Sequence, residues 1–154
     1  MDRTITYKTV SITMLTFVLL SMAVSACGGS NLEGPVREGR DVYGSVCSAC
    51  HGSTGNGGVG PAFAGVVETF PSCDDHIKWV TLGSERWKAE VGEKYGATDK
   101  PIKKVMPEIG LQLSEREIAA VAAYERSTFA GVDVSVAEAE CGFAEDGTFG
   151  SPAP

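Results

Sequence analysis

Cys47-Ser48-Ala49-Cys50-His51 decides how this chain is read. A Cys-x-x-Cys-His run is the attachment signature of c-type haem. On a helical turn, positions i, i+3 and i+4 share one face. Cys47 and Cys50 can therefore both reach the vinyl groups of one haem, and His51 offers its imidazole to the iron from the same face. Two other chemistries use Cys-x-x-Cys, a thioredoxin-like redox pair and half of a zinc site. A zinc site wants a second Cys/His pair at short spacing, and the sequence has none. A thioredoxin motif follows a strand in a βαβ pattern, and no such pattern is visible.

Upstream, Val36, Gly39, Tyr43 and Val46 recur at three and four residues. This spacing predicts a helix that starts near Val36 to Glu38 and runs into the motif. Gly39 inside a helix costs about 1 kcal/mol against Ala, and close approach of another backbone would explain it. Downstream, Gly52 to Pro61 contains five glycines, too many for regular structure. The segment lacks the Lys of a phosphate cradle and opens no convincing helix. It is expected to fold tightly round a haem edge.

Cys47 to Gly65 (CSACHGSTGNGGVGPAFAG) resembles a bacterial class I cytochrome c, and the likeness extends from about Glu33 to Gly131. The resemblance implies an all-α fold with long loops, its N- and C-terminal helices crossing beside one covalently bound haem c. It implies that the Pro61 carbonyl accepts a hydrogen bond from the other nitrogen of His51, which would fix the imidazole. The family's axial Met sits in a Met-Pro setting before the last helix, which here is Val105-Met106-Pro107. Pro107 biases Met106 toward an extended backbone, suited to a side chain held against a metal. Core filling is the other role open to Met106. His76 is the rival ligand, but its place beside Asp74 and Asp75 reads as a solvated helix surface.

Iron held by His51 and Met106 has no open site for a small-molecule substrate. The resemblance thus implies an electron carrier, not an enzyme. It would shuttle single electrons between membrane respiratory complexes, from a quinol-oxidising complex to a terminal oxidase. Two other functions use the same residues. One is a haem-based gas or redox sensor, or a small peroxidase-like enzyme, with a displaceable Met106. The other is the electron-entry subunit of a larger oxidoreductase.

Two further helices are legible. Ser72 caps one that runs to Leu82, with Asp74 and Asp75 in its first turn and Gly83 as its stop. Ser84 to Met106 then reads as a long loop with one helical turn near Glu85–Glu90, anchored by Trp87, Val91 and Tyr95. Ser114 and Glu117 form a capping box that opens the last helix. Ile118, Val121, Ala122 and Glu125 trace its stripe. The family's helix crossing would set Gly39 and Tyr43 against Val121, Ala122 and Tyr124.

The chain has 154 residues, enough for one domain of ordinary size, and a formal net charge of −7. That charge argues against nucleic acid as a partner. There is no P-loop and no dinucleotide fingerprint. Arg3 and Lys8 precede an apolar run from Val10 to Val24, short for a membrane span. Val24-Ser25-Ala26-Cys27 resembles a bacterial lipobox, which implies acylation of Cys27 and export to the extracytoplasmic face of the cell membrane. A retained transmembrane helix, or plain cleavage near Ala26, remains open. The expected division is a removed signal at 1–26, a tether at 27–35, the cytochrome domain at 36–130 and an acidic extension at 131–154. Met106 is the only methionine outside the signal. Cys73 and Cys141 are the cysteines left over, and in an exported protein they suggest a disulfide. Two free thiols or an intermolecular bridge are the alternatives.

Overall fold

The structure, a computed structural model, describes residues 32–150. The expected signal and Cys27 lie outside the described residues. Those residues are helical, with two isolated bridges, Lys94 to Pro101 and Phe143 to Phe149, and no strand. None of their helices is long and apolar enough to cross a membrane.

Helix α1 spans Gly34–Val42 and begins slightly earlier than its stripe predicts. Pro35 occupies the first turn, where a missing N–H costs nothing. The Val36 N–H is met from outside by Glu138 Oε1 at 3.1 Å. A widened π turn, Tyr43–Cys47, follows, and α2, Ser48–His51, completes the rod. Serines account for the widening. Ser45 Oγ donates to the carbonyls of Asp41 and Val42, and Ser48 Oγ to that of Gly44. Such back-bonding competes with the helical ladder and bends it. The π turn adds a residue that the regular stripe did not foresee.

Gly52, at φ 80°, turns the chain out of α2. The glycine-rich loop then folds back on it. Gly57 N–H donates to the His51 carbonyl and Gly60 N–H to that of Cys50, each at 2.9 Å. The loop thus supplies donors to a helix end that would otherwise lack partners. Helix α3, Val66–Thr69, is a single turn that buries Val66.

Helix α4, Cys73–Glu90, corrects one expectation. Ser72 caps it, accepting from Asp75 N–H at 3.1 Å. At Gly83, with φ 63° and ψ −179°, the helical conformation breaks as expected, but a second helical stretch resumes at once through Glu90, leaving a kink. The loop expected from Ser84 is therefore helical for its first seven residues. Trp87 drives the resumption. It is buried, and its indole N–H donates to the Lys94 carbonyl at 3.1 Å. Tyr95 packs on Trp79 and Phe70, whereas Val91 stays exposed and anchors nothing.

Helix α5, Glu115–Ala130, opens with the Ser114/Glu117 capping box and ends on Gly131 in the left-handed conformation. It crosses α1 at Gly39. The glycine faces Tyr124 Cβ, as expected, and the carbonyl of Ala120, the residue just before Val121. Tyr43 packs on Tyr124, with ring centroids 5.5 Å apart.

The acidic extension is helical where it begins. Asp133 caps a further helix, α6, Val134–Glu140, by accepting from Ser135 N–H. A Cys73–Cys141 disulfide ties the end of α6 to the start of α4. Beside it the buried Arg126 guanidinium donates to the carbonyls of Phe70 and Pro71 and to Glu140. Helices α5 and α6 and the Phe70–Pro71 segment meet at that one side chain.

Candidate functional site

Cys47 is half-buried and Cys50 exposed, and both thiols are free. Burial, with the charge of Glu125 next, pushes the Cys47 thiol up to about 12. His51 closes the same turn and is buried. Its Nδ1 lies 2.9 Å from the Pro61 carbonyl oxygen. A carbonyl only accepts, so the proton sits on Nδ1 and Nε2 keeps its lone pair for a metal. Phe63 packs on the ring, 4.6 Å between centroids. Gly60 completes the cradle, since a Cβ there would stand 2.6 Å from His51 Cε1. Tyr43 O–H donates to the Gly52 carbonyl at 2.6 Å and pins the end of the turn.

This arrangement fits a covalently attached haem on three counts. Two free thiols stand three residues apart, the adjacent imidazole has its tautomer set, and the glycine loop holds the ring from behind. Among the described residues no group of three or more His, Cys, Asp or Glu side chains converges as a zinc site would need. Residues 34–124 match the family model of cytochrome c oxidase, cbb3-type, subunit III. The chain belongs to that family. No curated protein and no solved structure matches it.

The protein is therefore a class I c-type cytochrome, all-α, with covalently bound haem c. Such a domain carries electrons. Cys47 and Cys50 are the candidate attachment residues, and His51 Nε2 is the candidate nitrogen for iron.

Met106, the expected sixth ligand, lies 55 residues beyond His51 in the chain. It is half-buried against the core. Its N–H donates to Ser84 Oγ at 3.0 Å, and its carbonyl accepts from Ser84 N–H at 3.0 Å. Two residues earlier, Lys104 Nζ donates to the Val59 carbonyl at 2.7 Å. That bond closes the segment bearing Met106 onto the loop that cradles His51.

His76 is not on a solvated surface. It is 1% exposed, and its ring stacks on Phe70 at 5.5 Å. Nε2 lies 3.1 Å from Glu125 Oε2, an ion-pair distance too misaligned for a hydrogen bond. Nδ1 has no partner. The helix turns this face inward because Trp79 and Val80, one turn on, belong to the core. Asp74 and Asp75 take the outer face.

Glu125, placed by the sequence on the stripe of the last helix, has a role that the stripe did not reveal. It is buried on α5, and its charge reaches Tyr43, Cys47 and Tyr95. Burial first and Glu125 second push both tyrosines up to about 12. A carboxylate on an otherwise apolar stripe was the available signal.

Proposed function

We propose that this cytochrome is an electron carrier whose iron is held by His51 and Met106, exported and lipid-anchored through Cys27. When bound, haem supplies a one-electron Fe(II)/Fe(III) couple. His51 offers Nε2, with Pro61 holding the ring against rotation. Met106 offers a thioether, a weak donor that favours the reduced state. Residues so tightly held need not rearrange when the charge changes, which keeps a one-electron exchange fast. The observation that carries this reading is the double hydrogen bond between Met106 and Ser84, in a segment tied to the His51 loop.

A quinol-oxidising complex as donor and a terminal oxidase as acceptor suit a domain confined to a membrane surface. The net charge of −7 calls for a basic docking face on at least one of them, with salt-sensitive rates. The family match favours a second reading, in which the domain is the electron-entry subunit of an oxidase. A sensor or peroxidase-like role draws no support from His76, whose Nε2 faces Glu125.

The visible spectrum of the purified protein tests the ligation. A c-type reduced spectrum is expected, with the weak far-red band of ferric methionine ligation. A c-type spectrum without that band would remove Met106 from the iron. Mild-detergent purification separates carrier from subunit: release as a single chain supports the carrier, and co-purification with an oxidase supports the subunit. Cys27→Ala is expected to release the protein from membranes, and its retention there would overturn the lipid anchor.

A further inference from the structure

Residues 106–110 are laid along the kinked helix α4, and the contacts between them are concentrated at Ser84. Gly83 allows the approach. A Cβ at that position would stand 2.6 Å from the Pro107 carbonyl carbon and 2.7 Å from the Met106 carbonyl oxygen. Its φ of 63° is one that L side chains rarely adopt. The kink turns the next residue, Ser84, toward Met106. Farther along, Arg86 pairs with Glu108 across the exposed edge, and Gly110 packs on Thr81.

Ser84 is fully buried. Its hydroxyl accepts the Met106 N–H at 3.0 Å and stands 3.4 Å from the Met106 carbonyl, which also receives the Ser84 N–H. One residue thereby satisfies both backbone polar groups of Met106. The hydrogen bonds of the Met106 backbone all run to Ser84. A buried N–H left without an acceptor is costly. The hydroxyl therefore ties the backbone of Met106 to a rigid helix.

We propose that Ser84 is the positioning residue for the Met106 thioether, and that its hydroxyl sets how readily Met106 leaves the iron. The proposal rests on Met106 being the sixth ligand. Without the hydroxyl the unpaired Met106 N–H favours states in which the segment swings out to water. Those states give an external ligand access to the metal. Any residue but proline at 84 retains the backbone N–H, so the side chain is the part a substitution can test.

The test is a titration of the ferric holoprotein with imidazole, in wild type, Ser84→Ala, Ser84→Cys and Arg86→Gln. Haem content and the far-red methionine band are recorded first. Ser84→Ala is expected to keep its haem and bind imidazole about tenfold more tightly, the equivalent of one net hydrogen bond to a buried amide. Ser84→Cys, with a weak sulfur acceptor, is expected to fall between, and carries the comparison if the alanine variant does not accumulate. Arg86→Gln breaks an exposed ion pair on the same segment and is expected to leave the affinity within about twofold. Equal affinities in wild type and the Ser84 variants, with the band present, would overturn the proposal and leave Met106 as ligand. An equal gain in Arg86→Gln would overturn it too, by showing that any loosening of the segment suffices. A wild type without the band would overturn the ligand reading itself.

Discussion

Gly39 meets the carbonyl of Ala120 where α1 crosses α5, so closely that a Cβ at 39 would stand 2.0 Å from the oxygen. That separation is far inside van der Waals contact, and the atom in the way is backbone, which cannot swing aside. The crossing holds the helix that delivers Cys47, Cys50 and His51.

Gly39→Ala therefore gives a test with opposite signs. Helix propensity alone favours alanine by about 1 kcal/mol. Forced separation of the two helices is expected to destabilise the protein instead, by about 3 kcal/mol. Urea unfolding of the holoprotein decides between them, and a raised midpoint would mean that the helices are not in contact at this glycine.

The Cys73–Cys141 bridge spans 68 residues and fastens α6 to α4. The double variant Cys73→Ser/Cys141→Ser is expected to lose about 4 kcal/mol in the chain-entropy model. Treatment of wild type with a phosphine reductant should produce the same shift in urea midpoint, since thioethers to haem are not reduced. A midpoint that reductant leaves unmoved would mean the two sulfurs are not joined in solution.

Glu117 links stability to pH. The Ser114 N–H and hydroxyl both donate to its carboxylate, at 2.9 and 2.7 Å. They hold it below the ordinary glutamate value of 4.5. A carboxyl lowered by folding contributes stability that is fully present above 4.5 and lost as pH falls through the lower folded value. The thermal midpoint of Glu117→Gln is thus expected to lie below that of wild type at neutral pH. The gap should close on acidification below the ordinary value. A gap that is constant with pH would exclude the charge as its source.

Met106→Ala is expected to keep its haem, because thioethers at Cys47 and Cys50 would hold it independently. Its potential should fall, and the reduced form should bind carbon monoxide quickly. Carbon monoxide binding no faster than in wild type would exclude Met106 as ligand.

Much of this cytochrome was legible because its chemistry is local. Cys47, Cys50 and His51 stand within one helical turn, so backbone geometry alone brings them together. The Ser114/Glu117 box and the Ser72 cap span three residues each, and the stripe of α1 follows from its own period. The all-α fold could be read from these elements together. What stayed hidden depends on chain segments that meet only after folding. Gly83 reads as a stop and does break the helix, but the resumption beyond it, with Met106 and Pro107 from over twenty residues away packed against the break, appears only in the fold. His76 reads as solvated from its acidic neighbours, yet packing of Trp79 and Val80 turns it inward to Glu125 on another helix. Ser84 looks like any loop serine until the kink aims it at the Met106 backbone. Sequence by itself determined the cytochrome class and the spacing of its Cys-x-x-Cys-His motif, since a single helical turn sets the reach of those side chains. Tertiary structure decided which buried partners hold those residues, because close packing and hydrogen-bond satisfaction are settled only between segments distant in the chain.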